Sequence, residues 1–163
     1  MNKDYDIAII GSGLTGLCTS ISLSRIGYKI ALVDPMKFEA LRISNRDTRT
    51  TALSLKTVNF FRKIKIIKHF EKNLCPINNI IVQEPSANAL SHINGKNKTS
   101  TLGFMIQNKI LIKSLVEIAK KEKNIEKIDD GLLNFIRDND KIKIFTFKKR
   151  ILKARLLIGA DGR

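Results

Sequence analysis

The sequence predicts an α/β fold with a central, mostly parallel sheet, helices on one face and a β-meander on the other. Three observations predict it: a strand–turn–helix–strand pattern at the N-terminus, further strand and helix patterns in the middle, and alternating apolar residues near the end. The length of 163 residues fits one domain, and a 43% hydrophobic, 28% charged composition is that of a globular protein. We expect one folded unit over residues 1–163.

The N-terminal segment is a predicted βαβ unit. Ile7–Ile10 is a continuous apolar run typical of a buried strand, and a helical pattern follows it through Arg25. Gly27 lies where a helix would stop, and Lys29–Val33 is the next predicted strand. A unit of this kind needs about 30 residues, and this segment supplies that many.

The turn of this unit carries glycines at positions 11, 13 and 16, and Asp34 follows 23 positions after the first of them. In a dinucleotide site the first glycine allows the tight turn, the second admits a pyrophosphate, and the third lets helix and strand pack closely. The helix N-terminus attracts the anion. Asp34 would accept hydrogen bonds from the ribose hydroxyls of adenosine and would repel a 2′-phosphate.

This spacing and context predict a Rossmann-like site for an adenine dinucleotide. The alternative is a structural βα turn with a solvent-facing Asp34. The candidate cofactor-binding residues of the segment are Gly11, Ser12, Gly13, Leu14, Thr15, Gly16 and Asp34.

The middle of the chain predicts mixed structure. A helical pattern begins at Thr51 and runs towards Lys63, and a short second helix is expected between residues 66 and 72. The remaining expectations are a surface loop over 38–47, a strand over 79–83, a polar loop over 85–99, a strand over 102–106 and a helix over 108–121. Near the end, alternation over 132–152 predicts the meander, and residues 156–160 form the last predicted strand.

The net charge of +15 raises the question of nucleic-acid binding. The lysines are scattered along the chain, aromatic residues are only 6%, and tryptophan is absent, so no stacking platform accompanies the basic residues. A composition rich in isoleucine, asparagine and lysine is what an AT-rich genome produces. The sequence therefore argues against a nucleic-acid partner.

Cysteine and histidine give no sign of a metal or a nucleophile. Cys18 and Cys75 match no disulfide framework or metal motif, and His69 and His92 are isolated. No catalytic side chain is predicted. The acidic N-terminus is unlike a signal peptide, and no apolar run approaches the about 18 residues that a membrane span needs. We expect a cytoplasmic protein.

Three later segments are DTRTTALS at 47–54, LGFMIQNKILIKSL at 102–115 and ARLLIGADGR at 154–163. They resemble segments of the FAD-dependent aromatic hydroxylases, the class A flavoprotein monooxygenases, and above all of their ubiquinone-biosynthesis branch. Their order and spacing match the D-x-R-x-x-A-L-S, strand-to-helix and Asp-Gly segments of that branch. With the glycine turn, the resemblance covers essentially the whole chain.

The resemblance implies roles for four more residues. Arg49 would lie near the FAD pyrophosphate, although pairing with Asp47 at the start of a helix is the alternative. Gln107 would approach the cofactor, while Lys109 stands where the family commonly has arginine. Asp161 and Gly162 match the Asp-Gly motif beside the ribityl and pyrophosphate groups.

The resemblance also implies an activity. Such enzymes pass two electrons from NAD(P)H to FAD and use oxygen to hydroxylate an electron-rich phenol, here a small aromatic and polyprenylated one, with peripheral association at the inner face of the membrane. The family's second half, with its substrate domain and Gly-Asp motif, does not follow Arg163. The sequence therefore predicts an N-terminal FAD-binding part, from truncation, gene decay or a split gene whose C-terminal half is encoded separately. The alternative is a non-catalytic dinucleotide-binding module or an inactive remnant.

Overall fold

The computed structural model describes residues 3–40, 47–84, 89–94, 101–138 and 140–162. Within them two short 3₁₀ turns, Ile67–His69 and Glu71–Asn73, separate longer elements. These elements follow in this order: β1 (Lys3–Ile10), α1 (Leu14–Ser24), β2 (Ile30–Asp34), β3 (Thr50–Ser54), α2 (Leu55–Lys63), β4 (Cys75–Ile77), β5 (Asn79–Glu84), β6 (Ala89–Asn94), β7 (Gly103–Gln107), α3 (Asn108–Lys121), β8 (Ile125–Asp129), β9 (Leu132–Asp138), β10 (Lys141–Thr146) and β11 (Ile151–Gly159).

The chain divides into two compact units. The first comprises residues 1–45 and 112–163, and the second comprises residues 46–111. The first contains the glycine turn and Asp34, and the second contains Arg49 and Gln107.

A six-stranded sheet in the order β8-β2-β1-β11-β10-β9 forms the frame of the first unit. The neighbours β8, β2, β1 and β11 pair in parallel, whereas β11, β10 and β9 pair antiparallel. The prediction of an α/β fold with a mostly parallel central sheet and a meander is confirmed. The meander is hydrogen-bonded to the parallel strands through β11, so all six strands form one continuous sheet.

Helix α1 packs on one side of this sheet against β1, β2 and β8. Its Leu17 and Ile21 have no exposed surface, and neither do Ile9 of β1 and Leu32 of β2. Each such side chain contributes about 1.5–3 kcal/mol when it leaves water. Gly27, at φ +100°, ends the helical segment because this left-handed conformation favours glycine.

A second buried cluster joins the parallel strands to the meander. It contains residues from β1, β2, β8, β10 and β11. Its members are Tyr5, Ala8, Ile10, Ala31, Val33, Ile128, Ile144, Leu152 and Ala154. The apolar residues whose alternation predicted the meander therefore lie on the side of β10 and β11 that faces this core.

The second unit has a three-stranded sheet in the order β3-β7-β4 and a separate β5–β6 ribbon. Ser54 is the N-cap of α2, and its hydroxyl accepts the N–H of Thr57 at 3.1 Å. Val58 and Phe61 are the buried residues of α2, and the Phe61 ring meets that of Phe70 edge to face with centroids 5.6 Å apart.

Several sequence expectations in this part of the chain were wrong. Residues 50–54 form strand β3 rather than the start of a helix at Thr51, because they pair with all five residues of β7. The expected short helix is two 3₁₀ turns, and β6 occupies part of the expected polar loop. Strand β8 was not predicted at all. The α3 prediction over 108–121 is confirmed, and residues 41–46 of the expected surface loop lie outside the described residues.

Candidate functional site

The carboxyl ends of β1, β2 and β11 meet at one edge of the sheet because these strands are parallel. Gly11 follows β1, and its N–H donates to the Val33 carbonyl of β2 at 2.8 Å. Ala160 follows β11, and its N–H donates to the Ile10 carbonyl at 2.7 Å. These bonds hold the glycine turn, the end of β2 and the Asp-Gly segment side by side.

Two of the three motif glycines have no room for a side chain. Gly11 has φ +102°, and a Cβ there would lie 2.5 Å from the Ala160 carbonyl oxygen. A Cβ on Gly16 would lie 1.9 Å from the Gly11 carbonyl oxygen. The first glycine thus permits the turn and the approach of the β11 segment, and the third permits the close packing of α1 on that turn.

Gly13 differs from the other two because a Cβ there would meet no heavy atom within 4 Å. It is the N-cap of α1, and no side chain among the described residues caps that helix end. The first turn of α1 carries no acidic residue. Its N–H groups therefore remain available to an anion, in the position where a dinucleotide pyrophosphate binds.

The Asp34 carboxylate lies against the glycine turn. Its Oδ2 accepts the N–H of Ser12 at 2.7 Å, and its Oδ1 accepts the N–H of Met36 at 2.8 Å. Asp34 is half-buried. Each carboxylate oxygen has a second lone pair, so the group retains acceptors for ligand hydroxyls.

A cavity of about 530 Å³ opens beside these groups. It extends from the glycine turn to the β8–β9 and β10–β11 turns, where the Phe147 N–H donates to the Gly131 carbonyl at 3.1 Å. Its lining residues are Ile10, Gly11, Gly13, Val33, Asp34, Pro35, Met36, Gly131, Leu132, Phe147, Ala160 and Asp161.

The other predicted residues of the first unit lie close to this edge. Ser12 is fully buried, and its hydroxyl has no hydrogen-bond partner among the described residues. Leu14 is half-buried and Thr15 is exposed at the start of α1. Gly162, at φ +78°, follows Asp161 in a conformation that favours glycine.

The second unit brings Arg49 and Gln107 to neighbouring positions. Gln107 ends β7 opposite Thr50, and the next N–H, that of Asn108, donates to the Arg49 carbonyl at 3.0 Å. The Arg49 guanidinium holds Asp47 through two bonds of 2.9 Å and is 74% exposed. These bonds and the charge of Arg49 lower the pKa of the Asp47 carboxyl. The alternative expectation for Arg49, an ion pair with Asp47, is therefore present. The pair lies just before strand β3 and not at the start of a helix.

Sequence reasoning missed several groups at the first-unit site. Met36, Gly131, Leu132 and Phe147 line the cavity, but three of them lie in turns, Leu132 begins β9, and none belongs to a recognisable motif. Lys127 was missed because its strand, IEKID, alternates too weakly to be recognised. The one available signal was its position after a helix and before Asp130–Gly131, where a βαβ pattern calls for another strand.

A model of the FAD binding domain family matches residues 4–163. The chain belongs to this family. The chain is 29% identical over 189 aligned residues to the mitochondrial ubiquinone biosynthesis monooxygenase COQ6 of Dictyostelium discoideum, covering 99% of this chain and 38% of that protein. It is 24% identical over 166 residues to the 3-demethoxyubiquinol 3-hydroxylase of Escherichia coli, covering 99% of this chain and 42% of that enzyme. The chain thus spans about two fifths of these relatives.

Solved structures show the same fold. PqsL of Pseudomonas aeruginosa, described as a probable FAD-dependent monooxygenase, superimposes with a TM-score of 0.77 at 17% identity, over 98% of this chain and 43% of that one. The flavin-dependent monooxygenase PieE, solved with FAD and substrate, superimposes with a TM-score of 0.74 at 21% identity, over 98% of this chain and 30% of that one. The chain therefore shares its fold with the corresponding parts of these two proteins.

The site residues fit the FAD that the family implies. The open space at Gly13, the uncapped start of α1 and the unpartnered hydroxyl of Ser12 suit a diphosphate, and Asp34 suits a ribose. Within the described ranges, no group of His, Cys, Asp and Glu is arranged to hold a metal ion. No helix in the same ranges is long and apolar enough to cross a bilayer.

Proposed function

We propose that this chain binds FAD and forms the FAD-binding part of a monooxygenase that hydroxylates an aromatic ring in ubiquinone biosynthesis. The observation that carries the proposal is the bond between the Ser12 N–H and Asp34, which sets a ribose acceptor beside an open helix N-terminus. The ubiquinone-pathway relatives supply the reaction class.

Each motif residue has a physical role in this proposal. The N–H groups at the start of α1 neutralise the diphosphate, and Gly13 leaves room for its oxygens. Asp34 orients the adenosine by accepting its ribose hydroxyls. Asp161 and Gly162 bind near the ribityl chain, and Arg49 and Gln107 are assigned to the cofactor by the family resemblance alone.

Bound FAD supplies the redox chemistry, passing two electrons from NAD(P)H to oxygen so that one oxygen atom enters the substrate. The balanced reaction converts a phenol, O₂, NAD(P)H and a proton into a hydroxylated phenol, water and NAD(P)⁺. The protein's part is to bind and orient the cofactor. Neither unit is assigned a side chain that forms a covalent bond to substrate.

We propose that the substrate is a polyprenylated phenol. The activities for which two relatives are named, ubiquinone biosynthesis and 3-demethoxyubiquinol hydroxylation, support this class. Substrates of this kind reside in membranes, and the net charge of +15 favours contact with an anionic cytoplasmic surface. We therefore place the working protein at the inner face of a membrane.

We further propose that activity requires the part of the enzyme that corresponds to the rest of these relatives. The chain spans 38% and 42% of two relatives. The β5–β6 ribbon also exposes apolar side chains, and an isolated two-stranded ribbon is only marginally stable in water. These side chains are Ile80, Ile81, Val82, Leu90 and Ile93, each 42–59% exposed.

The test is to purify the chain, titrate it with FAD, and measure NAD(P)H oxidation with and without a polypeptide matching the remainder of the relatives. We expect FAD binding by the chain alone and substrate-stimulated NAD(P)H oxidation only in the mixture. Failure of both preparations to retain flavin would refute the proposal.

A non-catalytic dinucleotide-binding module is the second candidate, favoured by the glycine turn and Asp34, whose geometry suits a dinucleotide without any catalytic side chain. It predicts that FAD or ADP binds but that NAD(P)H oxidation never rises when the remaining part is added. The same mixing experiment therefore separates the two functions.

A further inference from the structure

Lys127 belongs to strand β8, and its side chain reaches the carboxyl end of the neighbouring strand β2. Its Nζ donates to the main-chain carbonyl of Asp34 at 2.7 Å and to Oδ1 of Asp129 at 3.0 Å. The side chain is only 10% exposed. An ammonium group at that depth must be paired, so these bonds fix the side chain in one position.

The bond to Asp34 replaces a missing ladder bond. Along a strand, successive carbonyls point to the neighbouring strands on opposite sides. The Val33 carbonyl accepts the N–H of Gly11, which follows β1. The Asp34 carbonyl therefore points to the other side, towards β8. Strand β8 ends there, because the N–H of Asp130 turns back to the Ile128 carbonyl at 2.9 Å. No backbone donor of β8 is then left for Asp34, and the Lys127 ammonium takes its place.

The Phe38 ring completes this arrangement. It is 8% exposed, and the Lys127 Nζ lies 5.7 Å from its centroid. The Lys120 Nζ lies 5.9 Å from the same centroid, but its ammonium bonds Glu39 at 2.6 Å. Two lysines thus share one aromatic ring, and only one of them reaches Asp34.

We propose that Lys127 is a positioning residue that holds the end of β2 so that the Asp34 carboxylate faces the adenosine ribose. The backbone of Asp34 is held by Lys127 and its carboxylate by the N–H groups of Ser12 and Met36. Loss of the first contact lets the end of β2 move, and the carboxylate moves with it. This inference rests on the proposed function, because it assigns Asp34 to the ribose of FAD.

The test compares Lys127→Met with Lys120→Met, which removes the other charge over the Phe38 ring without touching Asp34. The probes are FAD, ADP and 2′-deoxy-ADP. In the wild-type chain we expect ADP to bind about tenfold more tightly than 2′-deoxy-ADP, the usual effect of a hydrogen bond to a charged acceptor. We expect Lys127→Met to weaken FAD binding about tenfold and to bring the ADP to 2′-deoxy-ADP ratio close to one.

The ratio separates positioning from general damage. A merely structural defect would weaken both nucleotides equally and keep the ratio, which would overturn the proposal, as would equal effects of the two Met variants. Lys127→Arg retains a donor and should restore most of the ratio. If Lys127→Met does not fold, Lys127→Leu, which also lacks a donor, is measured in its place with the same two outcomes.

A measurement without ligand distinguishes this inference from the proposed function. Hydrogen exchange of the Ser12 amide reports its bond to Asp34 directly. We expect faster exchange in Lys127→Met than in Lys120→Met, and equal rates would overturn the positioning role. If the wild-type chain binds neither FAD nor ADP, the proposed function fails, while the amide measurement still decides the role of Lys127.

Discussion

The N–H of Ser12 and the carboxylate of Asp34, 22 residues apart in sequence, are joined by a hydrogen bond of 2.7 Å. This bond ties the glycine turn to the end of the neighbouring strand. The same carboxylate therefore stabilises the turn and presents acceptors to a ligand, and the chain needs no separate residue for each task.

Replacing Asp34 by Asn should weaken FAD binding about tenfold or more, because a neutral amide is a poorer acceptor for ribose hydroxyls and has one oxygen for two backbone donors. The measurement is a flavin fluorescence titration. Asp6→Asn is the matched control, since Asp6 accepts the Lys29 N–H at 2.8 Å near the opposite end of the strands. Equal FAD affinities for the two variants would contradict the role of Asp34.

Alanine substitutions at Gly13 and Gly16 should have different effects, because Gly16 is needed for folding and Gly13 for FAD binding. Gly16→Ala places a Cβ 1.9 Å from a backbone oxygen and should destabilise the fold by about 3 kcal/mol. Gly13→Ala meets open space at φ −69° and should change stability by less than about 1 kcal/mol, yet weaken FAD binding. Urea unfolding and flavin titration measure the two effects, and a large stability loss in Gly13→Ala would contradict this division.

The sequence predicted the βαβ unit and helix α3 well because their patterns are local. Glycine spacing and helical periodicity need no knowledge of distant partners. Strand β3 was mistaken for helix because its five residues carry no alternation of their own, and pairing with β7 overrides their local preference.

The sequence predicted the site residues that belong to the glycine motif, and it predicted Asp34. It did not predict the residues that reach the site through turns or through strand pairing. Phe147 and Gly131 reach the cavity only because the β8–β9 and β10–β11 turns are hydrogen-bonded to each other. Lys127 contacts Asp34 through a parallel register that no sequence motif records. Long-range register is the information that local patterns lack.

The two cysteines should react with thiol reagents at very different rates. Burial raises the pKa of the Cys18 thiol to about 11, so at pH 8 only about one thousandth of it is thiolate. Cys75 is exposed. With Ellman's reagent at pH 8 we expect one fast equivalent in the wild-type chain, none in Cys75→Ser and one in Cys18→Ala. A fast equivalent in Cys75→Ser would show that Cys18 is accessible.

Asp130 should make the stability of the first unit depend on acid pH. It is 2% exposed, and its carboxylate accepts the N–H of Gly131 at 2.8 Å and that of Lys148 at 3.1 Å. Burial raises the pKa of this carboxyl, but bonds from Thr146, Gly131 and Lys148 outweigh that effect and hold the pKa below its usual 3.8.

A carboxyl whose pKa is lowered by folding stabilises the protein above its unfolded pKa and loses that contribution as pH falls through the folded value. Asp130→Asn should therefore lower the free energy of unfolding at pH 7 by on the order of 1–2 kcal/mol. The difference from wild type should shrink below pH 3.8. Asp140→Asn is the control, because Asp140 is an exposed acid in the β9–β10 turn, at the other end of the meander. Urea unfolding from pH 7 to pH 3 measures the effect, and a difference that stays constant over this range would show that the charge of Asp130 does not stabilise the fold.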